Sequence, residues 1–396
     1  SKSIGICIMK NKKIIKTLGI IALVIVTALA TRIFTMQQVF GSDKDFSKII
    51  VLEKYLKEYY LYNKDIKDED LEAGQLKGLV AGLKDPYSQY LTKDEMTKLS
   101  EQTTGKFQGI GVIISPHEDG TVTVVSPIKG SPAEKAGIES GDKILKINGE
   151  DFSGEKINEA SEAIRGEAGS EVSILLLKND SKTTKEVKVK RQEIKLDSII
   201  KGKIGDIGYI GIIMFDQDTG ADFKKALNEL TKEGVKGLVL DLRGNPGGVV
   251  DAAVEIGDAI LPKSDFCTLK NNKNEIIESY KTDDKYNDIK MVVLVNEGSA
   301  SASEILSGAI KDLNRAKIIG QKTYGKGVVQ NVIKFPKGDG LKLTTSEYFT
   351  PSGDSINKVG VEPDIEVKLN ENAKGIGIEH KEEDNQLQKA LEVLKN

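Results

Sequence analysis

Between about Ile194 and Leu369, short apolar runs alternate with segments of helical periodicity, and that order leaves few folds open. Gly208 to Phe215, Gly237 to Leu242 and Met291 to Val295 are near-continuous apolar runs of strand length. Ala221 to Lys232, Val249 to Ile260 and Ala302 to Leu313 instead repeat apolar residues every three or four positions. A strand that is apolar on both faces needs cover on both, and helices returning between parallel strands supply it. An α/β core is therefore expected here, extended by strands from Val328 onward that include Leu341, Leu343 and Tyr348.

Two other textures precede this core. From about Ser42 to Ser100 the pattern is helical, with Phe46, Ile49, Ile50, Leu52, Tyr55, Leu56 and Tyr59 on one repeat. A second helix is expected from Asp68 to Leu83, before the turn Asp85-Pro86. A third follows Thr92, whose hydroxyl can cap it with Glu95 three residues on. From Gly105 to Gln192 short β-branched runs and glycine turns take over. Gly109-Ile110-Gly111-Val112 reads as a glycine loop entering a strand, and Asn148-Gly149 as a hairpin turn. Ile157 to Ile164 reads as the one longer helix among these strands. The expected class is a multidomain α+β and α/β chain, divided at 1–34, 42–104, 105–192, 193–369 and 370–396. The last segment is polar until a short helix near Leu387 to Leu391.

Lys10, Lys12, Lys13 and Lys16 precede an apolar run from Thr17 to Ala30, which ends in the small-residue pattern Ala28-Leu29-Ala30. This is the order of an export signal. With Ile33, Phe34 and a tilt, the same run is expected to reach the length of a transmembrane anchor. The membrane is then a partner through this segment, and the remaining domains lie outside the cytoplasm, anchored or secreted.

Composition narrows the chemistry. Charged residues make up 30% of the 396, but their signs nearly cancel to −3, with no basic stripe of the kind nucleic acid requires. Two cysteines, Cys7 and Cys267, lie in unrelated contexts, which argues against a disulfide framework and a cysteine zinc site. His117 and His380 are the only histidines, so most histidine metal sites are excluded, and neither a metal nor a cofactor is expected. The helical segments at both ends are candidate surfaces for a homodimer.

Three segments carry candidate chemistry. Gly298-Ser299-Ala300-Ser301-Ala302-Ser303-Glu304 follows an apolar strand and opens a helix, so a serine there sits at the C-terminal edge of the sheet. The free N–H groups of the helix start can hold an oxyanion. Ser301 with Glu304 also fits a capping box, and spacing alone does not choose among the three serines. A serine nucleophile needs a base. His117 falls in a turn of the middle region and His380 in the polar tail, which leaves a lysine. Lys326, in Tyr324-Gly325-Lys326-Gly327, enters an apolar strand, and Gln330 four residues on is expected on the same face. Asp241-Leu242-Arg243-Gly244-Asn245-Pro246-Gly247-Gly248 ends another strand, and its glycines suit either a second oxyanion donor or a plain tight turn.

In order and spacing these segments resemble the C-terminal processing, or tail-specific, serine peptidases, and the middle region resembles a PDZ domain. Asp85-Pro86-Tyr87-Ser88 and Thr350-Pro351-Ser352-Gly353 fit the same resemblance, which spans roughly Phe46 to Val367. It implies a serine endopeptidase with Ser301 as nucleophile, Lys326 as base and Gln330 beside it. Ala302 and a glycine of the Gly247-Gly248 pair would form the oxyanion hole. Gly109, Ile110, Gly111 and Val112 would bind the carboxylate of a substrate protein's exposed C-terminal tail. Arg165 is a candidate for coupling PDZ occupancy to activity, and Asp312 stands where the family has an acidic residue. Asp354 departs from the pattern, which has a basic residue there. The α/β core also looks crotonase-like, similar to enoyl-CoA hydratase-type enzymes, but those lack a Ser-Lys pair. A catalytically dead PDZ scaffold would not need Ser301, Lys326 and Gln330 together.

Overall fold

The computed structural model describes residues 26–27, 30–32, 46–180 and 182–395, and the chain divides into units 1–79 and 80–396. In the first unit, helix Phe46–Tyr59 is followed by the start of helix Asp68–Ala81. Lys57 joins them, pairing with Glu53 at 2.6 Å and Asp68 at 2.7 Å. Asp68, Glu69 and Asp70 occupy the first turn of the second helix, where carboxylates meet the positive end of the helix dipole.

The expected transmembrane anchor is corrected here. Among the described residues no helix is long and apolar enough to cross a membrane. A span needs about 20 apolar residues, and lengthening the Thr17–Ala30 run toward Phe34 takes in Arg32. Most of the run lies outside the described residues. The membrane contact expected of it falls with the anchor.

In the second unit, a six-stranded sheet runs in the order Ile199–Ile204, Ile207–Ile212, Gly237–Asp241, Lys290–Val295, Lys317–Gly320, Ile365–Glu366. Its first pair is antiparallel and the others are parallel. Side-chain alternation sorts each strand onto two cores. Ile210, Leu240, Val293 and Val295 pack with helices Thr219–Lys232, Val250–Ile260 and Ala302–Asp312. Tyr209, Val239, Val292 and Leu294 pack with Leu387, Ala390 and Leu394 of helix Asn385–Lys395. The polar C-terminal stretch is thus no loose tail, because its helix covers the sheet's second face.

An antiparallel five-stranded sheet lies beside this core, built from Gln89–Leu91, Val328–Lys334, Gly340–Phe349, Asp265–Lys270 and Ile276–Lys281. The hairpin 265–281 was not legible as strands, since its second arm is mostly exposed and lacks an apolar stripe.

The middle region has its own core, centred on Ile110, Val124, Ile144, Ile174 and Leu176. Its sheet runs Val112–Pro116, Val122–Pro127, Lys143–Ile147, Glu171–Leu177, Thr184–Lys190, which leaves Val112–Pro116 as an edge strand. A two-stranded ribbon, Lys106–Gly109 with Gln192–Lys195, forms where the chain enters and leaves this region. Arg191, buried, donates to the carbonyls of Ala163 and Ile164 and so caps helix Ile157–Ile164.

Candidate active site

The two strand-to-helix turns of the core are zipped together. Asn296 Oδ1 accepts the N–H of Gly244 at 2.8 Å and of Gly298 at 3.1 Å. Ala300 N–H donates to the Asn245 carbonyl at 3.0 Å. Within this frame the three serines part company. Ser299 is fully buried and its hydroxyl donates to Leu242 O at 2.8 Å. Ser303 is also fully buried and donates to Asn245 O at 3.0 Å. Ser301 keeps partial exposure and sits at φ 53°, ψ −115°, a backbone region that a non-glycine residue holds only under constraint. Burial and hydrogen bonding therefore separate Ser301 from its neighbours, which sequence spacing did not.

The constraint comes chiefly from Glu304, whose side chain is wholly buried. Its Oε2 accepts the N–H of Ser301 at 3.0 Å and the N–H of Lys326 at 2.8 Å. Its Oε1 accepts Gly325 N–H at 2.7 Å and the Thr323 hydroxyl at 2.5 Å. One carboxylate thus staples the serine turn to the lysine loop. Tyr348 works from the carbonyl side, since its buried hydroxyl is shared between Ser301 O, at 3.0 Å, and Lys326 O. Burial pushes that phenol well up, so it stays a donor. In the sequence Glu304 reads only as a cap partner and Tyr348 only as a strand residue. A carboxylate three positions after a serine was the available signal for the first.

Lys326 is half-buried, and that desolvation holds its ammonium below the usual lysine range. Lys342 adds to the depression, while Asp85 and Glu304 oppose it. The Tyr87 ring lies beneath Nζ, 4.6 Å from the centroid. Gln330 is not placed by simple alternation. Its strand begins at Val328, after Lys326, and a register shift falls between Val329 and Gln330. The Gln330 amide donates to Thr344 Oγ1 at 3.2 Å, and Thr344 N–H donates to Ser88 Oγ at 3.0 Å, next to Tyr87.

Gly247 stands against the serine. A Cβ there would lie 2.7 Å from Ser301 Cβ and 2.9 Å from Ala302 N, at a φ of +96°. Gly247 N–H is already spent on Asn245 Oδ1 at 2.8 Å. Among the hydrogen bonds of the described residues, neither Gly248 N–H nor Ala302 N–H has a partner. Ala302 is the first helical residue, whose N–H has no acceptor within the helix.

Behind the glycine turn, Arg243 is buried between Asp241 and Asp384, reaching Asp384 Oδ2 at 2.7 Å. Asp312 lies apart from this cluster and accepts the N–H and hydroxyl of Ser352 at 3.0 and 2.7 Å. Asp354 Oδ2 takes the same hydroxyl at 3.0 Å. Among the described residues no group of three or more His, Cys, Asp or Glu side chains is arranged for a metal ion.

In the middle region, the carbonyls of Ile110 and Gly111 are tied back by Ala133 N–H and Ile128 N–H, each at 2.9 Å, and by Ser131 Oγ at 3.0 Å. Arg165, at the end of helix Ile157–Ile164, pairs with Glu101 and stands 5.2 Å over the Phe107 ring.

Comparisons with known proteins show the family to which the chain belongs. Residues 206–367 match Peptidase family S41, and residues 123–178 match the PDZ domain. A Staphylococcus aureus protein named "Probable CtpA-like serine protease" is 38% identical over 88% of this chain and 71% of its own length. The solved photosystem II D1 C-terminal processing protease is 31% identical, covering 82% of this chain and 87% of that one, with a TM-score of 0.48. A solved Bacteroides fragilis protein named "Putative S41 protease" shares the fold at 18% identity, covering 86% of this chain and 96% of that one, with a TM-score of 0.51. The chain belongs to Peptidase family S41 and is an exported, CtpA-like serine endopeptidase whose PDZ domain recognises substrate C-terminal tails.

Proposed function

We propose that Ser301 is the nucleophile and Lys326 the general base, and that the pair cuts proteins near their C-termini. The observation that carries this reading is Glu304 Oε2, which holds the N–H of Ser301 and of Lys326 on a single atom. A base must stand within reach of the proton it removes, and it must be neutral to remove it. The shared carboxylate supports the first condition. The depressed ammonium of Lys326 supports the second.

Neutral Lys326 takes the Ser301 Oγ proton as Oγ attacks the scissile carbonyl carbon, and the carbonyl electron pair moves onto oxygen. Ala302 N–H and Gly248 N–H receive that oxyanion, Gly247 N–H being engaged elsewhere. Collapse breaks the C–N bond, Lys326 returns its proton to the leaving nitrogen, and an acyl-enzyme remains. Water then attacks with Lys326 again as base, releasing the new C-terminus and restoring Ser301. Gln330 acts on this amine's surroundings through Thr344.

Residues 105–192 form the PDZ domain in this reading, and 193–369 a core of crotonase-like strand-helix order with the C-terminal helix on its second face. Residues 42–104 make the N-terminal helical region, and 1–34 serve export. A substrate tail adds as a strand along the free edge of Val112–Pro116, its carboxylate on the N–H groups of Gly109, Ile110, Gly111 and Val112. Arg165 lies where that groove meets the helix bearing Glu101, which suits it to couple tail binding to activity. The test compares wild type with Ser301→Ala and Lys326→Ala on a folded protein carrying a flexible apolar tail. Loss of cleavage in both is expected, and continued cleavage by either overturns the dyad.

A further inference from the structure

We propose that Tyr87 is a positioning residue for the base, its ring forming a wall that covers one side of the Lys326 amine and keeps water from it. The inference rests on the dyad reading above. Its first support is the placement of Nζ over the ring face, 4.6 Å from the centroid. Its second is the way the ring is held.

Tyr87 N–H donates to Asp85 Oδ1 at 3.1 Å, and the Ser88 hydroxyl donates to Asp85 Oδ2 at 2.5 Å. Ser88 is buried, and its oxygen accepts Thr344 N–H from the adjoining strand. Two residues after Tyr87 the chain pairs with that strand, Gln89 opposite Lys342 and Leu91 opposite Gly340. The turn is therefore bolted to the sheet directly after the ring, and Asp85 closes it on the other side. Residues 105–192 separate this segment from the rest of the core in sequence, so the wall and the base come from opposite ends of the PDZ insertion.

An aromatic face does two things to an ammonium. It attracts the cation, and it occupies space that water would otherwise fill. At Lys326 burial is the leading influence on the ammonium, and the Tyr87 ring, in contact with Nζ, is part of what covers it. The other charged groups acting there are Lys342 from strand Gly340–Phe349, Asp85 from the turn and Glu304 from helix Ala302–Asp312. Tyr87 itself is pushed up by burial and then by Tyr324, so its ring stays neutral while Lys326 titrates. Removing the ring admits water to Nζ and favours the charged, inactive form.

The experiment is the pH profile of kcat/KM for a peptide substrate in wild type, Tyr87→Phe and Tyr87→Ala. In Tyr87→Ala the acid limb should move up by about one pH unit, with the rate recovering toward wild type at alkaline pH. Tyr87→Phe should keep the wild-type limb, because the ring face remains. A purely structural role would lower the rate at every pH without moving the limb. An unmoved limb in Tyr87→Ala, or an equal displacement in Tyr87→Phe, overturns the proposal. If circular dichroism shows that Tyr87→Ala does not fold, Tyr87→Thr takes its place with the same expectations. Lys326→Ala in the same assay keeps the two ideas apart. Activity in that variant sinks the dyad, whereas its inactivity beside an unmoved Tyr87→Ala limb sinks only the role of Tyr87.

Discussion

Gly247-Gly248 in the peptidase core and Gly109–Val112 in the PDZ domain are both glycine loops joining regular elements, yet their surroundings differ. The core loop is enclosed by buried charge and hydrogen bonds. Arg243 anchors it to Asp384, Asn245 spans it, and Ser301 stands against it. The PDZ loop is held through its carbonyls and opens onto an unpaired strand edge. On the proposed reading the difference follows from the work each loop would do. Bond cleavage rewards donors fixed before the substrate arrives, because reorganising them would add to the barrier. Tail recognition rewards an open edge, where main-chain hydrogen bonds accept many sequences.

If the core is the over-determined region, its hubs should be the costliest to touch. Glu304→Ala strands four donors that meet one buried carboxylate. It should cost about 3–5 kcal/mol in urea unfolding and abolish turnover. A stability loss below about 1 kcal/mol would show that Glu304 is not the staple described here.

Asp384→Asn should cost about 3 kcal/mol by leaving Arg243 short of a buried partner. Burial alone would raise the Asp384 carboxyl, but hydrogen bonds and charge from Arg243 win and hold it below the usual range. A depressed folded pKa stabilises above the unfolded value of about 4, and the benefit is lost as pH falls through the folded value. The stability gap between wild type and Asp384→Asn should therefore narrow in acid. A gap that widened below pH of about 4 would contradict the assigned sign.

Gly247→Ala places a methyl group against Ser301 at a φ that only glycine adopts freely. It should lower kcat by about a hundredfold, with a stability loss of about 1–2 kcal/mol. A KM effect alone would mean that the loop binds substrate without shaping the oxyanion site.

On the PDZ side the effects should be smaller and fall on binding. Gly111→Val would bring Cβ within 2.5 Å of Ser131 Cβ at a φ of +75°. It should raise KM for a tailed protein about tenfold, and raise it more than it lowers kcat. Arg165→Ala removes a pair that is 40% and 22% exposed at its two ends, worth at most about 1 kcal/mol. It should slow tailed proteins more than short peptides. Unchanged rates for both would end the case for coupling.

Much of the frame was legible from periodicity and capping chemistry, because those signals are local. Thr92 with Glu95 closes its capping box, and Asn148-Gly149 adopts the two positive φ values of a tight hairpin turn. The apolar runs at 237–241 and 291–295 form parallel strands buried on both faces. The expectation of a lysine base also came from the sequence, since both histidines lie far from every candidate serine.

Tertiary structure decided the rest. Which of three serines keeps partial exposure depended on the carbonyls of Leu242 and Asn245, 57 and 58 residues from the two buried serines. The Glu304 staple closes over 22 residues and the Arg243–Asp384 pair over 141. The alternation argument for Gln330 takes no account of a register shift between Val329 and Gln330, and the anchor argument fell because no helix among the described residues is long and apolar enough to cross a membrane. Periodicity records which face of an element turns inward. A buried donor or acceptor takes whatever partner the fold brings near it, and no local pattern writes that partner down.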